Sequence, residues 1–471
     1  MTLPESESIA FLPDLIYTGG RFERDLALVC DDEGRISRLA RADEIECEVV
    51  SLKHRALLPG LVNAHSHAFQ RVIRGRTEHR SHHSGDSFWT WREMMYGAAT
   101  RLEPQDIYDA SRLAFLEMAL GGITAVGEFH YLHKDARGKA YDDPNLLAKE
   151  VVRAARDVGL RIALLRVAYA RAGYRTEPNE RQQRFIESEP EVYLRNLERL
   201  RKDLARETDE EQRAWVGVAP HSVRAAPLDY LRQVAAYADE HQLPVHMHVA
   251  EQVAENVACL EEHGRTPVAL LAHEHILSER FTAVHAVHIT DEEAVELARA
   301  RAFVCACPTT ERNLGDGIVP AEMLFRHGAR IAFGTDSHTQ IDLLEDAREL
   351  EYHLRLKKLE RNVLAPESKD VSALARKLFE GATAHGAASI GAEAGALEHG
   401  RPADFFTVAL DDPSIAGAST DDLLSSIVFS LARTAVRDVF VGGKRIVEEG
   451  KHRMQDEIVE GFVALQKRLW G

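Results

Sequence analysis

The sequence predicts an α/β chain: a TIM-like (β/α)8 barrel with a small discontinuous β-sandwich domain built from both chain ends. Three observations predict it. Between Leu57 and Thr335, eight apolar segments alternate with longer amphipathic patterns, the texture of repeated strand and helix. Both ends of the chain instead carry short apolar segments broken by glycine and acidic turns. Polar side chains able to do chemistry fall at the last positions of several of the eight segments, the end at which such barrels keep their sites.

In chain order, residues 1–56 supply the first part of the small β domain, with strands expected near Leu26–Cys30 and Cys47–Leu52. Residues 57–397 form the barrel. Its strands are expected at Leu57–Ser66, Ile123–Phe129, Leu160–Val167, Trp215–Ala219, Pro244–Val249, Phe281–Ala286, Phe303–Ala306 and Arg330–Thr335. Pro104 opens an amphipathic helix that runs to Gly121, and Thr290-Asp291-Glu292-Glu293 gives another helix a capped, acidic first turn. Residues 398–471 return to short strands at Asp404–Ala409 and Asp438–Val441, then a Gly442-Gly443 hairpin into Lys444–Val447.

Composition narrows the function. A chain of 471 residues with 45% hydrophobic and 28% charged residues is globular and long enough for one large barrel plus a companion. A formal charge of −17 argues against nucleic acid or an anionic membrane as partner, so an anionic small molecule would need its own local arginines. The cysteines, Cys30, Cys47, Cys259, Cys305 and Cys307, are few, odd in number and scattered, which suits a reducing compartment. Cys305 and Cys307 read as core packing. MTLPESESIAFLPDL lacks a basic region followed by an apolar core, and no apolar run approaches membrane-spanning length; a cytoplasmic protein is expected.

The chemistry gathers at the strand ends. The first strand delivers His65 and His67, two residues apart and therefore on one face. The fourth ends in His221, the fifth in His248 with Glu251 beyond, the sixth in His285, and the eighth in Asp336. Three imidazoles and a carboxylate with an open position for water suit zinc or another borderline metal, so His65, His67, His248 and Asp336 are the expected ligands. His246 faces the same way as His248 and competes with it; we place it deeper, as packing. With 23 histidines most are not ligands, and His79, His82 and His83 read as a solvated loop. A metal-activated water needs proton carriers: Asp336 and His285 are placed to take the proton, Glu251 to pass one to a leaving nitrogen. The plainer role for Glu251 is a carboxylate at a helix N-terminus. No lysine near the third or fourth strand offers a carbamate bridge, which favours one metal, with Glu128 the alternative ligand for a second.

PGLVNAHSH, HMHVAEQ, His285, FGTDSH and the late GRPADF together resemble the amidohydrolase superfamily over nearly the whole chain. Within it, HSHAFQR, DSFWTWREMMY, VGEFHYLH and PHSVR are similar to the formimidoylglutamate deiminases of histidine degradation. That resemblance implies metal-dependent hydrolysis of a formimino carbon-nitrogen bond, with Gln70, Arg92, Tyr131, His221 and Arg224 lining the substrate pocket. Arg92 and Arg224 are each able to grip a carboxylate through a bidentate fork. Their plainer roles are a cation sealing an aromatic loop and an ordinary surface arginine. The competing expectation is a deaminase of a purine, pterin or triazine ring, which has little use for two arginines. Zn2+ is the expected metal, Fe2+ being served by the same ligands, and a homodimer is the expected assembly.

Overall fold

In a computed structural model, residues 8–80, 86–176, 179–206 and 213–471 are described. His82 and His83 lie outside the described residues, and His79 is exposed.

Nine strands from the two ends of the chain form one mixed sheet. The first five are β1 (Ile9–Thr18), β2 (Arg21–Glu23), β3 (Leu26–Cys30), β4 (Ile36–Arg41) and β5 (Glu48–Pro59). The barrel follows as β6 (Leu61–Ser66), β7 (Ile123–His130), β8 (Arg161–Ala168), β9 (Ala214–Pro220), β10 (Val245–Val249), β11 (Phe281–His285), β12 (Phe303–Ala306) and β13 (Arg330–Phe333). The chain returns to the end sheet with β14 (Phe405–Ala409), β15 (Val436–Val441), β16 (Lys444–Glu448) and β17 (Lys451–His452). The central join of that sheet is β5, parallel to β1 on one side and antiparallel to β14 on the other. The N-terminal and C-terminal segments therefore share one ladder.

The apolar run from Leu57 to Ser66 is two strands, not the single one its composition suggests. Leu57–Pro59 finish β5, and Leu61 begins the barrel. Gly60 makes the change of sheet possible, because a Cβ there would meet Thr124 Oγ1 at 2.2 Å.

The barrel strands pair in sequence order from β6 to β13, every pair parallel. Strands β6, β7 and β8 are buried at every position, as parallel strands covered by helices must be. Closure comes from backbone beyond the last strand: Asp336 N–H donates to His65 O at 3.0 Å, and His67 N–H donates to Asp336 O at 3.1 Å. Gly334 permits that approach, since a Cβ there would lie 2.7 Å from His65 Cβ.

Helices α1 (Phe88–Ala99) and α2 (Pro104–Leu120) flank the mouth and the first strands. Pro104 stands at the first turn of α2, and Asp106 closes that turn by accepting Glu103 N–H at 2.7 Å. Thr290 caps the helix Asp291–Arg299 reciprocally with Glu293. The 16 residues Gln455–Trp470, one short of the C-terminal Gly471, are a helix rather than more strand. It is tied to α2 and the turn before it by Arg112–Glu457 at 2.7 Å, by Arg468–Asp106 and by Arg101 Nη1 to Leu469 O at 3.1 Å. Among the described residues no helix is long and apolar enough to cross a membrane, and all five cysteines are free.

Candidate active site

Donor atoms of His65, His67, His248 and Asp336 lie within 4.8 Å of one another, and all four residues are buried. His67 Nε2 is 3.2 Å from His65 Nε2, 3.4 Å from His248 Nε2 and 3.3 Å from Asp336 Oδ1. The proton positions follow from their other partners. His67 Nδ1 faces Phe129 O at 2.9 Å, and His248 Nδ1 faces His221 O at 3.1 Å. A carbonyl can only accept, so each Nδ1 carries the hydrogen and each neutral ring turns a bare Nε2 lone pair inward. Burial holds both imidazoles neutral, pushing their pKa values down. Burial, then the neighbouring His67, does the same for His65, whose Nδ1 has no hydrogen-bond partner. Inward lone pairs beside a carboxylate repel one another unless a cation sits among them; the donor set fits a divalent metal.

His246 does not share this centre, because its Nε2 donates to Ser389 O at 2.9 Å. Glu128 is also apart from it. Its carboxylate accepts Ala68 N–H at 2.8 Å and the Ser66 hydroxyl, so it pins the turn between and beyond the paired histidines. Burial raises that carboxyl to about 8.

His285 ends β11 with φ of +72°, and Asp336 has φ of +44°, both in the left-handed region that non-glycine residues avoid. The turn aims His285 Nε2 between Glu251 Oε1 and Asp336 Oδ2, each 3.7 Å away. On the opposite edge of the ring, Nδ1 meets Glu311 Oε1 at 3.3 Å. Burial opposes the imidazolium, yet these three carboxylates together hold the His285 pKa well above its ordinary value. Glu251 is raised in turn, chiefly by burial. Sequence reasoning missed Glu311: it lies on the short helix Pro308–Leu314, 26 residues from His285, where its spacing carries no signal. It also accepts Cys307 N–H at 2.9 Å, which fixes the carboxylate against the imidazole.

A cavity opens above the centre and is lined by His67, His248, Glu251, His285 and Asp336. Gln70, Arg92, Tyr131, His221 and Arg224, brought together from four separate stretches, line the same cavity. Gln70 Nε2 donates to Tyr131 Oη at 2.9 Å, while Gln70 Oε1 is buried without a partner. The Arg92 guanidinium lies 4.4 Å from the Trp89 ring and 5.4 Å from the Tyr96 ring; its buried Nε is also unpartnered. Arg224 stands 6.0 Å from Trp89. Among the described residues neither guanidinium forms an ion pair. Tyr96, Tyr169 and Phe185 complete the wall and were not singled out from the sequence. Tyr96 sits inside DSFWTWREMMY, but no periodicity distinguishes it from core.

The amidohydrolase family model matches residues 56–446. The curated formimidoylglutamate deiminase of Pseudomonas aeruginosa is 39% identical over 415 residues, covering 88% of this chain and 89% of that protein. A solved amidohydrolase from Brucella melitensis superposes with a TM-score of 0.89 at 34% identity, over 98% of this chain and 100% of the other. The adenosine deaminase of Xanthomonas campestris, solved with bound zinc, has a TM-score of 0.80 at 21% identity over 98% of each chain, a likeness of fold.

Proposed function

Since this chain belongs to the amidohydrolase family, and is a hydrolase of carbon-nitrogen bonds, we propose that it converts N-formimino-L-glutamate and water to N-formyl-L-glutamate and ammonia, a step of histidine degradation. What carries the reading is the pair Arg92 and Arg224: two guanidinium groups line one cavity, and neither forms an ion pair among the described residues. Fixed cations that no ion pair occupies call for an anionic ligand, and two of them fit a dicarboxylate better than a neutral heterocycle.

His65, His67, His248 and Asp336 would hold one divalent cation, which we assign as zinc, with Fe2+ compatible with the same donors. When bound, that cation would supply Lewis acidity, making nearby water more acidic and stabilising negative charge. The remaining work falls to side chains. Arg92 and Arg224 fix the glutamate moiety, leaving the formimino carbon over His285 and Asp336. Water adds to that carbon and gives its proton to Asp336 Oδ2, the oxygen facing His285. His285, kept cationic by Glu251, Glu311 and Asp336, stabilises charge as the tetrahedral carbon forms. Glu251, whose burial favours the protonated form, delivers a proton to the nitrogen of the cationic formimino group; as that carbon-nitrogen bond breaks and ammonia leaves, the new hydroxyl gives its proton back to Glu251 and becomes the formyl carbonyl. The aromatic wall of Trp91, Tyr96 and Phe185 limits the bulk water that reaches the site.

We place the enzyme in the cytoplasm as a homodimer, supported by its free cysteines and by the frequency of two-fold assemblies. The carboxylate clamp is tested with Arg92→Met and Arg224→Met in the zinc-loaded enzyme. Each should raise KM for formiminoglutamate tenfold or more, the loss of about 1.5–3 kcal/mol expected for a hydrogen bond to a charged group. Unchanged KM in both variants would sink the reading of the pocket.

A further inference from the structure

The pocket contains a hydrogen-bond donor that this mechanism does not use. Gln182 is buried on the short 3-10 helix Glu180–Gln182, and its amide orientation is settled by the backbone. Asn179 N–H donates to Gln182 Oε1 at 3.0 Å, a position an amide nitrogen cannot fill because it has nothing to accept with. The two hydrogens on Nε2 therefore point the other way, to Tyr169 Oη at 2.9 Å and Tyr96 Oη at 3.3 Å. Both phenol oxygens are acceptors in these bonds, so neither spends its own proton there. Neither hydroxyl has another hydrogen-bond partner among the described residues, so each keeps its proton. Two O–H donors are left over.

The geometry favours Tyr169 as the stronger of the two. Tyr169 receives the shorter bond from Gln182, 2.9 Å against 3.3 Å for Tyr96, and a hydroxyl that accepts a closer bond is polarised into a better donor. Its ring stands 4.7 Å from His221, which itself lies 4.9 Å from the expected metal ligand His248. Tyr96 carries the Arg92 guanidinium 5.4 Å from its ring, and both phenols border the cavity that Arg92 and Arg224 line. A phenol bordering a cavity that two guanidinium groups also line is complementary, through its O–H, to a carboxylate oxygen. The same amide ties this donor to the loop, since Gln182 reaches back to Asn179.

We propose that Tyr169, oriented by Gln182 and backed by Tyr96, is a substrate-binding residue that donates a hydrogen bond to one carboxylate of the dicarboxylate ligand and so sets specificity for it. This rests on the dicarboxylate reading of the pocket and adds a residue to it.

The test is calorimetric binding of N-formyl-L-glutamate, a stable ligand, to the metal-loaded enzyme and to Tyr169→Phe. The assay is repeated with N-formyl-L-alanine and 4-formamidobutanoate, each keeping one of the two carboxylates. Tyr169→Phe should weaken N-formyl-L-glutamate about tenfold to a hundredfold. The loss should recur with only one of the two monocarboxylates. Tyr96→Phe, which leaves the Tyr169 hydroxyl in place, should lose less than Tyr169→Phe. Unchanged affinity in Tyr169→Phe overturns the proposal, and so does an equal loss with both monocarboxylates, which would report general damage to the wall. A wild-type enzyme that binds N-formyl-L-glutamate but releases no ammonia from the formimino compound would refute the proposed reaction and leave this assignment standing.

Discussion

Glu311 touches His285 on the edge of the ring away from the substrate cavity, so its effect on the reaction must pass through the imidazole. Replacing it with Gln keeps an oxygen able to accept from Nδ1 but removes the charge that favours the imidazolium. Glu311→Gln should lower kcat by about tenfold to a hundredfold, the range of a lost charge-assisted contact, with KM and metal content unchanged. A parallel rise in KM would instead place Glu311 among the groups that shape the pocket. Glu251→Gln should collapse turnover with the metal retained, because the amide cannot deliver a proton; retained turnover would remove Glu251 from the mechanism. The four expected ligands were legible in the sequence because a strand places alternate side chains on one face and a barrel brings all strand ends to one mouth. Glu311 was not legible because it meets the site only through His285, and Tyr169 was not because its place in the wall depends on Gln182; local periodicity encodes neither contact.

At the level of elements, the joint between β6 and the turn after β13 does two tasks at once. It closes the barrel and carries three of the four side chains of the candidate metal centre, so the backbone that seals the fold also sets the distances there. Gly334→Ala should lower metal affinity as well as stability, because its new methyl would contact His65 itself. Equilibrium competition with a chelator measures this, and unaltered metal affinity would separate closure from the centre.

A second element-scale device is the pair Arg166 on β8 and Glu187, joined at 2.6 and 2.9 Å with both side chains buried. It anchors the segment that brings Gln182 and Phe185 to the pocket. Burial opposes the Glu187 carboxylate, but Arg166, with His133 and the Asn196 amide, more than compensates, and the carboxyl falls from 4.5 to about 2. A depressed folded pKa means that this stabilisation is complete above pH 4.5 and disappears as pH falls toward 2. It amounts to about 3 kcal/mol by linkage. Glu187→Gln should be less stable than wild type at pH 7, and its unfolding free energy should fall less steeply between pH 4.5 and 2. Equal slopes in a denaturant titration would contradict the assignment. The periodic pattern located β8 but gave no hint that Arg166, inside a buried strand, had a partner 21 residues away.

Across the whole molecule, the end sheet and the barrel are fastened by a buried bidentate pair, Arg161 to Asp404 at 2.7 and 3.1 Å. Asp404 belongs to the GRPADF segment, and it also accepts Gly442 N–H at 2.7 Å while its backbone carbonyl accepts Gly60 N–H at 3.0 Å. One residue thus holds the first barrel junction, the last hairpin and the third barrel strand. Asp404→Asn should cost about 3–5 kcal/mol, since it removes the carboxylate charge from a buried bidentate pair. The alternation of strand and helix made the barrel readable from sequence, and turn residues made the end strands readable. The terminal helix was hidden among short strand signals, and the single strand inferred across Gly60 concealed a change of sheet. Those features depend on contacts between segments hundreds of residues apart.

Ammonia release by the purified, zinc-loaded enzyme from N-formimino-L-glutamate, alongside a panel of aminopurines and guanidino acids, tests the central claim most directly. The account predicts rapid, stoichiometric ammonia and N-formyl-L-glutamate from the formimino substrate, and none from the heterocycles. Ammonia from a heterocycle alone would contradict it, keeping the metal centre and overturning the dicarboxylate pocket.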